Sequence, residues 1–127
     1  MARIRSIKPD LFGSYSMARV PIEARYLFTG MWTEADDDGR LIDSPKKIAG
    51  AVFPHDKKVT EQKVDQWLNA LAAEHSIIRY ESEGGRYIAI PQWEKHQKVS
   101  HATPSKLPPP SGLSPEAHQN GTGNVLP

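Results

Sequence analysis

The sequence predicts a small α+β domain, and three observations lead to this fold class. The 127 residues include 38% hydrophobic and 24% charged side chains, an ordinary balance for one soluble globular domain. Segments 21–36 and 60–74 repeat apolar residues at helical spacing, whereas segment 77–93 alternates apolar and polar residues as strands do. Helices followed by a pair of strands indicate an α+β arrangement.

The first predicted helix begins at Pro21, a residue suited to the first helical position. Gly30 within it would let a neighbouring element come close. The helix should end at the acidic residues 36–38 followed by Gly39, because Asp and Gly favour turns; these residues lack the later Glu of a calcium loop. The predicted inward face comprises Ala24, Leu27, Phe28, Met31 and Ala35.

Two further helices have clear starting signals. After a short extended segment at 39–43, Ser44 is the expected N-cap of a helix that begins at Pro45 and runs to about Phe53. Thr60 is the expected cap of the next helix. Its predicted inward face comprises Val64, Trp67, Leu68 and Leu71, at positions i, i+3, i+4 and i+7.

The last two strands should form a β-hairpin. Gly84 and Gly85 lie at its tip and can adopt the positive φ that a tight turn requires. The order helix, strand, helix, helix, strand, strand is that of a winged helix, a helix-turn-helix variant with a C-terminal hairpin. We therefore expect a winged-helix domain at 21–100, a flexible N-terminal arm at 1–20 and a disordered Pro/Gly/Ser-rich tail at 101–127.

Net charge does not by itself identify a partner, since 16 Lys and Arg oppose 15 Asp and Glu. A solvated surface of mixed sign is the simpler interpretation. The absence of cysteine excludes disulfides and thiolate metal sites and suits a reducing cytoplasm. The sequence also lacks an apolar run long enough for a membrane span and the apolar stretch of a signal peptide.

The third helix is the expected DNA reader, since helix-turn-helix proteins place this helix in the major groove. Gln and Asn can pair with adenine, whereas Lys can contact guanine or phosphate. Any amphipathic helix has outward polar residues, however, and the hairpin could simply cover the core. The candidates are Gln62, Lys63, Gln66 and Asn69 on the third helix, Lys46, Lys47, Lys57 and Lys58 for phosphates, and Arg86 on the wing.

No pattern indicates an enzyme. The chain lacks an HExxH motif, a glycine-rich phosphate loop and a nucleophile with a neighbouring base. We therefore expect no catalytic residues, no cofactor, no metal site and no small-molecule substrate.

Three segments of the sequence resemble a known family: MARIRSIKPDLF, EARYLFTGMWTEADDDGRLIDSPKKIAGAVFPHD and IPQWEKHQKVSHATPSKLPPP. Together they are similar to the N-terminal domain of bacteriophage replication-initiation, or replisome-organiser, proteins. The resemblance implies a winged helix in the bacterial host cytoplasm that binds origin DNA and helps recruit the replicative helicase or its loader. It adds the DNA-contact candidates Arg3, Arg5, Lys8, Lys95, His96 and Lys98.

Two other functions remain open at this stage. A transcriptional regulator would act as a homodimer on a palindromic site, whereas clustered repeats at an origin would indicate replication initiation. Alternatively, the domain could bind a host protein, in which case the balanced charge has no connection with nucleic acid.

Overall fold

A computed structural model describes residues 2–110 of the chain, which fold into a small α+β domain. These residues form five α-helices, a short 3-10 helix at Pro9–Leu11 and a three-stranded antiparallel sheet. No helix among them is long and apolar enough to cross a membrane. In chain order the elements are α1 (Tyr15–Ala18), α2 (Ile22–Glu34), β1 (Arg40–Ile42), α3 (Pro45–Val52), α4 (Glu61–Ala73), β2 (Ile78–Ser82), β3 (Gly85–Ala89) and α5 (Trp93–His96).

The predicted order of elements from α2 to β3 is confirmed. The N-caps of α3 and α4 are also those expected: the Ser44 hydroxyl accepts from the amide of Lys47, and the Thr60 hydroxyl accepts from the amide of Lys63. The four-residue helices α1 and α5 were not predicted, because one helical turn is too short to show an apolar period.

The core lies between α2, α4 and the inner face of the sheet. All five residues of the predicted inward face of α2 are buried. Helices α2 and α3 approach closely at Gly30, since a Cβ at that position would lie 2.7 Å from a methyl group of Val52. The largest fully buried side chains are Leu27, Met31, Val64, Leu68, Leu71, Ile77 and Ile88.

The sheet has the strand order β1-β3-β2, so the last strand lies in the middle. The hairpin joining β2 to β3 is confirmed, but its turn lies one residue earlier than expected. Glu83 and Gly84 have positive φ, of 52° and 81°, as both central residues of a two-residue type I′ turn require. Gly85 instead pairs with Ser82, and its lack of a side chain leaves room for the ring of Tyr87.

The N-terminal arm differs from the flexible segment expected, because residues 3–6 are tied to the domain. The last carbonyls of a helix have no partner within the helix. Arg5 donates to the carbonyls of Trp32 and Ala35 at the end of α2, at 3.0 and 2.9 Å, and the Arg3 amide donates to the carbonyl of Thr33 at 2.9 Å. The arm therefore completes the C-terminus of α2, where positive charge is also favoured by the helix dipole.

Residues 101–110 likewise differ from the disordered tail expected, although they contain no helix or strand. The amides of Thr103 and Ser105 donate to the carboxylates of Asp37 and Asp38, at 3.0 and 2.8 Å. Farther along, the Tyr80 hydroxyl donates to the carbonyl of Pro108 at 2.6 Å. Residues 111–127 of the predicted tail lie outside the described residues.

The acidic turn after α2 therefore anchors both ends of the described chain. Asp37 receives the Thr103 amide and the guanidinium groups of Arg3 and Arg5, which together hold the pKa of its carboxyl below the usual value. Its carbonyl accepts from the Trp93 indole at 2.9 Å. Gly39 completes the turn with a φ of 78° directly beneath the Trp93 ring. The expectation of a turn is confirmed, and its acids have structural partners.

Candidate nucleic-acid interface

Helix α4 has one face buried in the domain and the other open to solvent. Val64, Leu68 and Leu71 are 0% exposed, so the predicted inward face is correct at these positions. On the opposite side an amide stripe, which we define as Gln62, Gln66 and Asn69, lies along the exposed surface with spacings of four and three residues. The amides predicted to read DNA are therefore accessible.

Trp67 is only half-buried, although the sequence placed it on the inward face of α4. Its ring lies 5.6 Å from that of Phe53, which in turn lies 5.3 Å from Tyr26 on the outer side of α2. The apolar period places Trp67 beside Val64 and Leu68, but its larger ring extends to the edge of the core. It therefore borders the exposed face rather than filling the interior.

Arg79 on β2 connects the sheet to α4. Its guanidinium forms a two-point ion pair with Asp43, at 2.7 and 2.9 Å, and donates to the carboxylate of Asp65 at 2.8 Å. These contacts raise the pKa of Arg79, with the hydrogen bond that it donates to Asp43 as the largest cause. The Asp43 side chain is only 1% exposed, so the pair is protected from solvent.

Asn69 belongs to this network as well as to the amide stripe. The Nη1 group of Arg79 donates to Oδ1 of Asn69 at 2.8 Å and to the Asp65 carbonyl at 3.4 Å. Asn69 is thus exposed but held in one orientation. Sequence reasoning found Asn69 yet missed Arg79 and Asp43, because their pairing joins residues 36 positions apart and has no local pattern.

Five lysines between residues 46 and 63 are predicted to contact DNA. All five are exposed, and none takes part in an ion pair within residues 2–110. Lys46 and Lys47 lie in the first turn of α3, and Lys63 lies in the first turn of α4. Free backbone N–H groups at a helix N-terminus favour anions, and a lysine there strengthens this preference. The remaining two are Lys57 and Lys58, in the loop between α3 and α4.

Arg86 is exposed at the start of β3, as a wing contact requires. It lies opposite Glu81 on β2, so the hairpin presents both signs of charge. The register therefore does not distinguish a DNA-contacting wing from a hairpin that covers the core.

The arm residues are placed less favourably for DNA contact. The Arg5 side chain is 6% exposed, and its guanidinium lies 5.0 Å from the centre of the Trp93 ring, so Arg5 is committed to the domain. Arg3 forms an ion pair with Asp37 at 2.6 Å. Lys8 donates to the carbonyl of Lys95. Of the three, Arg5 has the guanidinium most fully engaged within the domain.

The basic group after the hairpin lies in and next to α5. Lys95 and Lys98 are exposed, but the ring of His96 stacks on that of Trp32 with the centroids 6.0 Å apart. Burial against Trp32, with a smaller contribution from nearby Lys8, lowers the pKa of His96 below its ordinary value. His96 is therefore part of the packing between α5 and α2.

When the chain is compared with protein families, with curated proteins and with solved structures, nothing matches. A function therefore has to be inferred from the geometry of residues 2–110 and from the sequence resemblance described above.

Proposed function

We propose that the domain is a winged helix that binds double-stranded DNA through the exposed face of α4. The order of helices and strands supports this proposal, as does the hairpin β2–β3 beside β1, which would be the wing. In such proteins the second helix of the helix-turn-helix enters the major groove. Here that helix is α4, and α3 precedes it.

The observation that carries the proposal is the amide stripe on α4. A helix anchored by three fully buried side chains keeps a fixed orientation, so the opposite side chains can meet base edges in a constant register. Amides offer both a donor and an acceptor, the combination that distinguishes base pairs in the major groove. Asp65 lies next to the stripe and forms an ion pair with Arg79, which also pairs with the buried Asp43.

Phosphate binding is assigned to the lysines around α3 and α4. Each phosphate contact makes the binding constant fall more steeply with salt, by about 0.9 log units per log unit of salt concentration. Two lysines at the N-terminus of α3 would therefore account for a slope of about 1.8. Lysine serves this role because it needs only charge, not a fixed geometry.

The biological role we propose is replication initiation in a bacteriophage, on the basis of the sequence resemblance described above. The same role makes a replicative helicase or its loader a proposed partner. Binding-site mapping on phage DNA separates this role from transcriptional regulation: clustered repeats at an origin support initiation, whereas a single palindrome bound by a dimer supports regulation.

The test of DNA binding is the salt dependence of duplex affinity for Lys46→Ala combined with Lys47→Ala. We expect weaker binding to all duplexes and a slope shallower by about 1.8. Lys95→Ala combined with Lys98→Ala removes the same charge from the α5 region and serves as the matched comparison. Equal salt slopes for the wild type and both double variants would show that these lysines do not contact phosphates. An absence of duplex binding at low salt would overturn the proposal of DNA binding.

A second candidate, binding to a host protein, is favoured by the distribution of exposed apolar side chains. Seven large hydrophobic side chains are exposed in the described chain, and six of them lie between residues 4 and 26. Aromatic and aliphatic side chains concentrated on one segment are typical of protein-binding surfaces. Capture of one stoichiometric protein together with an absence of duplex binding would select this function. The six residues are Ile4, Ile7, Phe12, Tyr15, Ile22 and Tyr26.

A further inference from the structure

We infer that Asn69 recognises guanine in the major groove because Arg79 fixes the orientation of its carboxamide. The inference rests on the proposed DNA binding and adds a base preference to one position of the amide stripe. It begins with the hydrogen bond of 2.8 Å between Nη1 of Arg79 and Oδ1 of Asn69.

The chemistry of arginine decides which end of the carboxamide faces the protein. A guanidinium carries five N–H donors and no acceptor, so its partner on Asn69 has to be the carbonyl oxygen. The Nδ2 group is directed away from Arg79, and Asn69 lies on the exposed face of α4. Asn69 therefore presents donors to a ligand on this face.

Arg79 cannot easily turn away to release Asn69. All five of its N–H donors are used: Nε and one N–H of Nη2 bind Asp43, and the other N–H of Nη2 binds the carboxylate of Asp65. The two donors of Nη1 go to Asn69 and to the backbone carbonyl of Asp65. Because the Asp43 side chain is 1% exposed, rotating Arg79 would leave a buried carboxylate without its partner.

The fixed orientation determines the base edge that fits. Adenine presents an acceptor at N7 and a donor at N6, so an asparagine reads it only by offering both its Nδ2 and its Oδ1. The Oδ1 of Asn69 accepts from Arg79 and is therefore turned toward the protein, so Nδ2 is the group that faces a base edge. Guanine presents two adjacent acceptors, N7 and O6, which suit the two N–H donors of an outward-facing Nδ2 group.

Gln66 provides the internal contrast. It is exposed on the same stripe, and no arginine among residues 2–110 holds its carboxamide. Gln66 can rotate to offer both a donor and an acceptor, so it can pair with adenine. The two amides are thus expected to prefer different bases although their functional groups are identical.

The decisive variant is Asn69→Asp, which keeps an oxygen for Arg79 and replaces the outward donor by an acceptor. Its fold should persist, because residue 69 is exposed and the substitution keeps an oxygen that can accept from Arg79. Selection from a random duplex library should give guanine at one position for the wild type, and a base with a donor there, cytosine or adenine, for the variant. We expect the affinity of the variant for the wild-type duplex to fall roughly 10-fold or more.

Base analogues test the contact without changing the protein. Replacing the selected guanine by 7-deazaguanine removes N7 and should weaken wild-type binding several-fold, whereas inosine keeps N7 and O6 and should bind as guanine does. Asn69→Asp should not distinguish these two analogues. Ser100→Asp, at an exposed site outside α4, adds the same charge and should leave the base preference unchanged.

The outcomes distinguish a failure of guanine recognition by Asn69 from a failure of DNA binding itself. If wild-type protein selects a duplex but Asn69→Asp selects the same base, or if 7-deazaguanine binds as well as guanine, Asn69 does not read guanine while DNA binding stands. If the wild type retains no duplex at low salt, DNA binding itself is wrong, and the base assignment fails with it.

Discussion

Residues 2–12, the first part of the N-terminal arm, and helix α4 place their apolar and polar side chains in opposite ways. Helix α4 buries Leu68 and exposes Gln66, whereas the arm buries Arg5 and exposes Ile4 to 98%. The helix satisfies its backbone internally, so an apolar face can meet the core. The arm instead meets the open carbonyls at the end of α2, and only a donor can satisfy them. Which side chain is buried therefore depends on the neighbouring surface: an apolar side chain beside the core, and a hydrogen-bond donor beside the carbonyls at the end of α2.

The largest effect is expected for Leu68→Ala, which tests the apolar side of this comparison. Leu68 is 0% exposed, so the substitution leaves a cavity in the core and should lower the free energy of unfolding by roughly 2–5 kcal/mol. Gln66→Ala, two residues away and exposed, should change it by less than about 0.5 kcal/mol. Urea denaturation of the two variants measures the difference, and equal stabilities would show that the face of α4 is wrongly assigned.

The polar side of the comparison is tested by Arg5→Met, which keeps much of the side-chain length and removes the donors. The carbonyls of Trp32 and Ala35 would lose their partners, and we expect a loss of roughly 1–3 kcal/mol in the free energy of unfolding. Arg3→Ala, at a more exposed ion pair, should cost about 1 kcal/mol or less. If Arg5→Met retained full stability but lost duplex affinity, Arg5 would be a DNA contact after all.

A smaller effect concerns the dependence of stability on pH. Burial lowers the folded-state pKa of His96 below its ordinary value of 6.5, so the unfolded chain binds this proton more readily. Stability should be constant above about pH 7 and fall as the pH drops from 6.5 through the lower folded-state pKa. Thermal unfolding of His96→Gln across this pH range should show a weaker dependence of stability on pH than the wild type does. If the two proteins had the same dependence, a group other than His96 would be its cause.

The smallest effect on stability is expected at the exposed apolar residues of the arm. Ile4→Ser combined with Ile7→Ser should leave the free energy of unfolding within about 0.5 kcal/mol, since these side chains are 98% and 56% exposed. If the arm binds a protein, the same variant should weaken that complex. A marked loss of stability would mean that the arm packs through its isoleucines, and the contrast with α4 would disappear.

Local signals account for much of the fold that the sequence predicts. Pro21, Ser44 and Thr60 mark the starts of three helices, and the period of Val64, Leu68 and Leu71 identifies the buried side of α4. Each signal depends only on neighbouring residues, so no tertiary contact is needed to read it. The exposure of the amide stripe follows from the same period.

The errors arose where a distant contact decided the outcome. Composition predicted a flexible arm and a disordered segment after residue 100, but in the described chain both form hydrogen bonds to the acidic turn. Trp67 satisfied the helical period yet is only half-buried, in contact with Phe53 at the edge of the core. The resemblance likewise suggested Arg5 as a DNA contact, whereas its guanidinium is bonded to the end of α2.

The sequence by itself determined helices α2, α3 and α4, the three strands, their order and most of the inward face of α4, because caps and apolar periods act over a few residues. Only the tertiary structure decided which charged groups are exposed to solvent and which are held in ion pairs or hydrogen bonds within the domain. Arg79 with Asp43, and Arg5 with the end of α2, are paired across 36 and about 30 positions of the chain. Such pairs form because burial removes water from both groups and each must then be satisfied by the other, a requirement that arises only when the chain has folded.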